Sequence, residues 1–185
     1  MSLSAPATRT PLHRRAIEVN GYHRADGLYD IEAEITDTKS YELGLSGGRR
    51  LPAGAPLHRM LMRLTVDEDM LIIAAEAVTQ AGPFAACPTG AESFSSLAGL
   101  RVRPGFLREA MLRLGGTAGC THIRELLQQL ATVVLQTMYS VRNRPENSAA
   151  AAAQMVNSCH AYAADGDVVK RRWPHLYTGA EQAAD

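Results

Sequence analysis

The sequence predicts an α+β fold, an antiparallel sheet of about four strands covered on one face by about four helices. Three features carry that expectation. Apolar and polar residues alternate with a period of two in several segments before Gly82, the pattern of strands with one wet face. After Gly82-Pro83 the apolar spacing lengthens to three and four residues, as in helices that bury a single stripe. Strands come first and helices afterwards, without the strand–helix–strand alternation that a parallel sheet requires.

Taken in order, His13 to Asn20 forms the first strand, with Ile17 and Val19 inward and Asn20-Gly21 as its closing turn. In the second strand Tyr29, Ile31, Ala33 and Ile35 face the core, while Asp30, Glu32 and Glu34 make a solvated face rather than an acid/base pair. Gly44 to Pro56 is rich in Gly and Pro, carries Arg49-Arg50 and reads as a loop. Met60, Met62, Leu64 and Val66 line one face of a third strand, and Asp67-Glu68-Asp69 turns the chain into a fourth from Met70 to about Val78. Phe106, Leu107, Ala110, Met111 and Leu114 recur at helical spacing between Pro104-Gly105 and Gly115-Gly116. The longest helix starts at Thr121 and runs about twenty residues; its apolar stripe, from Ile123 to Met138, is wide enough to cover the sheet. Pro145 breaks the chain within Arg142 to Asn147, Ser148 caps a further helix through the alanine run to Met155, and Asp165-Gly166 makes a second break.

The chain has 185 residues, 46% hydrophobic and 21% charged, which suits a single domain over 11–178 with flexible ends at 1–10 and 179–185. Nineteen basic side chains balance nineteen acidic ones, so no net positive field draws the protein to nucleic acid or an anionic membrane. The apolar runs Met70 to Ala75 and Ala149 to Ala153 fall far short of the roughly 20 residues of a membrane span. Met1 to Thr10 lacks the apolar segment of a signal peptide, which makes a reducing cytoplasm the expected compartment. Three cysteines cannot pair completely, so each is core filler, metal ligand or reactive thiol.

The cysteines sit at element boundaries, and two have a histidine within two residues: Cys120-Thr121-His122 and Cys159-His160. Cys120 opens the long helix, where the positive end of the dipole favours a thiolate. Cys87 lies in the loop after the hairpin, and no CxxC pair or HExxH helix accompanies these residues. His122 and His160, with Cys159 beside the latter, are candidate proton carriers because imidazole titrates near neutrality. Arg24 has the guanidinium geometry to hold a substrate carboxylate, against the plainer reading of Asp26-Gly27 as a hairpin turn with Arg24 in solvent. Gly115, Gly116 and Gly119 lack the Lys-Ser/Thr of a phosphate loop and read as a linker turn.

From Pro56 to about Ser140 the hairpin PLHRMLMRLTVDEDMLIIAAEA, the Cys87 loop, SFSSLAGL and GCTHIRELLQQLA resemble, in their order, the core of IscU/NifU-type iron–sulfur scaffolds. The resemblance implies a ligand before the hairpin, one in the loop after it and one at the start of the long helix, positions held here by His58, Cys87 and Cys120. His58 stands where that family has a cysteine, and Arg59 where a scaffold has a nearby aspartate. Two thiolates and an imidazole suit a mononuclear Zn or Fe centre with an open fourth position better than an iron–sulfur cluster. Over its whole length the chain is also similar to an uncharacterised bacterial family, domain of unknown function 2889, through HRR, YHRADGLYDIEAEITDTK, LGGTAGCTH and SCHAYAADGDVVKRRWP. The expectation is a metal-binding protein that acts on a small molecule; the alternatives are a metal-delivery scaffold serving an acceptor protein, and a metal-free enzyme with Cys120 as nucleophile. A homodimer is compatible with each.

Overall fold

The computed structural model describes residues 2–142 and 148–179. They divide into two compact units, Met1–Thr137 and Met138–Asp185. The first holds the antiparallel sheet of the expected α+β fold. Strands β1 (His13–His23), β2 (Tyr29–Lys39), β5 (Pro56–Val66) and β6 (Ile72–Ala81) form one sheet in the order β1-β2-β5-β6, and every neighbouring pair is antiparallel. The Gly/Pro-rich segment read as a loop contains a small separate ladder, β3 (Leu43–Gly44) with β4 (Arg50–Leu51).

Alternation in β2 has its expected consequence. Ile31 and Ile35 are fully buried, joined by Met60 and Leu64 of β5. Helix α3 (Thr121–Thr137) covers this face of β1, β2 and β5. Its side of the core comes from Ile123, Leu126, Leu127, Leu130 and Val134. Helix α1 (Thr89–Glu92) and the 3-10 turn Ser93–Leu97 pack on β6, and α2 (Phe106–Leu114) packs on that turn. The opposite face of the sheet is polar: Arg59 bonds Glu34 at 2.7 Å, and Arg63 bridges Glu76 at 2.7 Å and Glu32 at 3.4 Å.

One expectation is corrected. Asn20-Gly21 does not close β1; the strand runs three residues further and turns at 25–27, where Gly27 has φ 87°. The reason lies in the packing of α3. A Cβ on Gly21 would lie 2.0 Å from the Thr137 hydroxyl, so glycine at this site allows close approach inside the strand instead of a turn. The true turn is built by Asp26, whose Oδ1 accepts the Leu28 N–H at 3.2 Å.

The second unit contains α4 (Tyr139–Arg142), α5 (Ser148–Met155) and α6 (Asp167–Arg172). The Pro145 break at 143–147 and the tail from 180 onward lie outside the described residues. Asn157, at φ 61°, receives the Ala164 N–H on Oδ1 at 3.0 Å, and Arg172 donates to the Tyr139 hydroxyl at 2.8 Å. Among the described residues no helix is long and apolar enough to cross a membrane.

Gly21→Ala should therefore lower unfolding stability by about 1–3 kcal/mol through overpacking. Urea denaturation would measure this, and Thr137→Ala in the same chain should recover much of the loss.

Candidate metal centre

Extending the inward parity of β2 two residues beyond Ile35 brings a carboxylate to the buried face: Asp37 is 1% exposed. In register it lies between Arg15 of β1 and His58 of β5, so three adjacent strands contribute a single row. Arg15 donates twice to the carboxylate, from Nε to Oδ1 at 2.8 Å and from Nη2 to Oδ2 at 2.7 Å. His58 Nδ1 meets Oδ2 at 3.0 Å, and His13 Nε2 lies 3.3 Å from Oδ1. Four contacts use the roughly four lone-pair sites that a carboxylate offers.

Helix α3 lies over this row. His122 stands in its first turn, with its ring centroid 3.7 Å from that of His58 and the planes tilted by 30°. Glu125, three residues on and so on the same side of the helix, forms an ion pair with Arg15. Irregularities in strand pairing flank His58: one between Asp37 and Thr38 in the β2–β5 ladder, one between Arg59 and Met60 in the β5–β6 ladder. Such bulges re-aim side chains locally.

The electrostatics follow from these contacts. Burial raises the Asp37 pKa, but the hydrogen bonds and charge of Arg15, with the His58 hydrogen bond, outweigh it and hold the group at about 2. For His58 burial dominates and lowers the pKa, His122 adds to the lowering, and the Asp37 contact opposes both. His58 is thus neutral at pH 7. An ionised carboxylate only accepts hydrogen bonds, so Nδ1 carries the proton and Nε2 keeps a free lone pair.

Among the described residues, Asp37, His58 and His122 are the group whose ligating atoms all lie within 4.8 Å of one another. The structure thus brings together His58, expected as a ligand, and His122, expected as a proton carrier, and adds Asp37. The thiols of Cys87 and Cys120 are outside this group. Cys120 sits two residues before His122, with its N–H bonded to the Gly90 carbonyl at 2.9 Å. Gly90 in turn donates to the Cys87 carbonyl at 3.2 Å. Cys87 also packs on the end of β6, where a Cβ on Gly82 would lie 2.7 Å from its own Cβ.

Of the remaining expected residues, Arg24 is held in the β1–β2 turn by Asp26 at 2.6 and 3.0 Å and by Asp30 at 3.3 Å. Cys159, which is exposed, and His160 belong to the second unit. The residue missed in the sequence is Asp37. Its signal was present: a charged side chain at an inward position of an alternating strand calls for a buried partner.

With this geometry in hand, comparison with known proteins gives one finding. A family profile described as "Protein of unknown function (DUF2889)" matches residues 13–136, from the first residue of β1 to the penultimate residue of α3. The stretch SCHAYAADGDVVKRRWP lies beyond that match. No curated protein and no solved structure matches the chain.

The lowered pKa of Asp37 has a consequence for pH. In the unfolded chain the carboxyl binds its proton near its ordinary value of 3.8, in the folded chain only near 2. Stability on the order of 2 kcal/mol is therefore present above about pH 5 and is lost as pH falls toward 2. Urea unfolding across this range should show the loss, and Asp37→Asn should weaken the dependence while lowering stability at pH 7, because Arg15 loses its buried partner; Asp26 and Glu34, also held below their usual range by arginines, keep part of it.

Proposed function

We propose, from the premise that this chain belongs to the DUF2889 family, that its first unit binds one Zn or Fe ion through His58 and His122 and acts on a small molecule. The observation that carries the reading is the pair of imidazoles 3.7 Å apart, one of them fixed by a buried carboxylate. Imidazole nitrogens suit both metals.

Asp37 fits poorly as a ligand, because Arg15, His13 and His58 occupy its lone pairs. It fits well as the group that orients His58 and raises its basicity, the usual role of a carboxylate behind a ligating histidine. Cys120, two residues from His122 and tied through Gly90 to the Cys87 loop, supplies the nearest expected thiol. When bound, the ion would polarise a substrate oxygen or activate water.

This chain's own residues do the rest. Arg15 neutralises Asp37 and is itself held by Glu125 of α3, which keeps the row in place. His122, on the helix side, would supply the second imidazole to the ion, and its ring would carry a proton only in the metal-free reading below. A cleft of about 640 Å³, lined by Ser46, Arg49, Thr79, Gly82, Phe84 and Pro88, adjoins the Cys87 loop and has the size of a small-molecule site.

A second reading rests on an observation of its own. A neutral histidine with Nδ1–H on a buried aspartate is also how a metal-free general base is oriented. Its nucleophile would be Cys120, at the start of α3. The scaffold resemblance, which rests on the order of His58, Cys87 and Cys120, favours instead the delivery of metal to an acceptor protein.

Elemental analysis by mass spectrometry of anaerobically purified, untagged protein separates these readings. The metal reading expects about one equivalent of Zn or Fe, at least roughly tenfold less in His58→Ala and His122→Ala, and an affinity roughly 10–100-fold weaker in Asp37→Asn. Metal-free wild-type protein, or metal content unchanged in both histidine variants, contradicts it. Stoichiometric inactivation of metal-free protein by iodoacetamide supports the thiol reading.

A further inference from the structure

We propose that β1 is the dimer edge of this protein, pairing antiparallel with β1 of a second copy about a two-fold axis at Ala16. The sheet order leaves β1 with one neighbour, β2, and all eleven of its residues pair there without a register shift. Its other edge is a long, regular row of backbone donors and acceptors. HRRAIEVNGYH has neither the proline nor the lysine that ordinarily protects such an edge, and its ladder has no bulge.

Charge fixes the occupant and the register. About a two-fold axis normal to the sheet, opposed residues share a face, so only registers centred on a residue keep the inward and outward sides aligned. Centred on Ala16, the pairing sets Arg14 opposite Glu18 of the partner subunit, twice by symmetry. Centring on Glu18 would oppose two carboxylates, and centring on Ile17 or Arg15 leaves both charges facing uncharged residues. The outer face also lacks a cation at this point. Glu18 lies directly across from Glu34 in the β1–β2 register. Glu34 is answered by Arg59 at 2.7 Å, whereas among the described residues Glu18 receives only the Asn20 amide at 3.1 Å. Among the described residues Arg14 has no ion pair. An incoming Arg14 would give Glu18 a cation directly opposite, as Arg59 gives Glu34 one from the diagonal position in β5, so that each carboxylate meets a cation.

The same register covers apolar surface and reaches the centre described above. Ile17, 40% exposed on the helix side, gains a neighbouring strand. Val19 of the partner subunit comes opposite His13, whose ring contacts Asp37 and is 38% exposed. Dimerisation would thus shield the outer end of the Asp37 row from water.

Sedimentation velocity of the full chain over a micromolar concentration series tests the proposal, with circular dichroism to confirm folding. The expected result is a wild-type dimer whose dissociation constant rises about tenfold or more in Arg14→Glu and in Glu18→Arg, and returns to within about threefold of wild type when both are combined. Glu18→Gln replaces Glu18→Arg if the latter fails to fold, with a smaller rise expected. A wild-type monomer throughout the series overturns the proposal, as does a dimer indifferent to the single changes. Failure of the double reversal to restore association overturns the register and with it the assigned edge.

Discussion

Burying the Asp37 carboxylate would cost several kcal/mol if it were left unpaired, and much of the first unit is arranged around meeting that demand. Its donors come from β1 on one side and β5 on the other, so β1, β2 and β5 must hold a common register at this row. Arg15 then reaches past Asp37 to Glu125, and His58 stacks against His122, which fixes the first turn of α3 over the same three strands. The apolar stripe of α3 supplies the energy of docking, since hydrophobic burial is large and non-directional. The polar row supplies position. A slip of one residue in either ladder would send Arg15 or His58 to the solvated face and leave the carboxylate buried alone.

That positioning has a chemical result. A carboxylate that accepts the Nδ1–H of a neutral histidine presents the other nitrogen as a lone pair, and a second imidazole already lies beside it. The pair is fit to bind a metal ion or to handle a proton, and the surroundings suit both, because Arg15 keeps Asp37 ionised while burial keeps His58 neutral. Irregular pairing flanks His58 on either side, where the side chain is aimed, and recurs in β5 only at its far end, between Thr65 and Val66. The Cys87 and Cys120 loops meet through the Gly90 backbone, and Cys120 is two residues before His122, so both loops lie at the N-terminal end of α3.

The architecture was legible in the sequence because hydrophobic periodicity reports burial directly: Tyr29 to Ile35 and Met60 to Val66 face inward as their spacing requires, and α2 and α3 begin at Phe106 and Thr121. Two features were harder. Asn20-Gly21 looks like a turn because local chemistry favours one, yet Gly21 serves a contact with Thr137, more than a hundred residues away, that no local pattern records. Asp37 was passed over because the apolar alternation ends at Ile35, although the strand does not. His58 and His122 were both singled out, but for separate roles. Their meeting depends on how α3 crosses the sheet, and neither spacing nor composition encodes that crossing.

The central claim is that Asp37 sets the tautomer of His58 and leaves Nε2 free. Long-range nitrogen–proton NMR of selectively labelled histidine at neutral pH, in metal-free protein with His58 assigned by substitution, measures this directly. The account predicts a neutral ring protonated at Nδ1, with Nε2 showing the shift of an unprotonated nitrogen. A ring protonated at Nε2, or an imidazolium at pH 7, would contradict it.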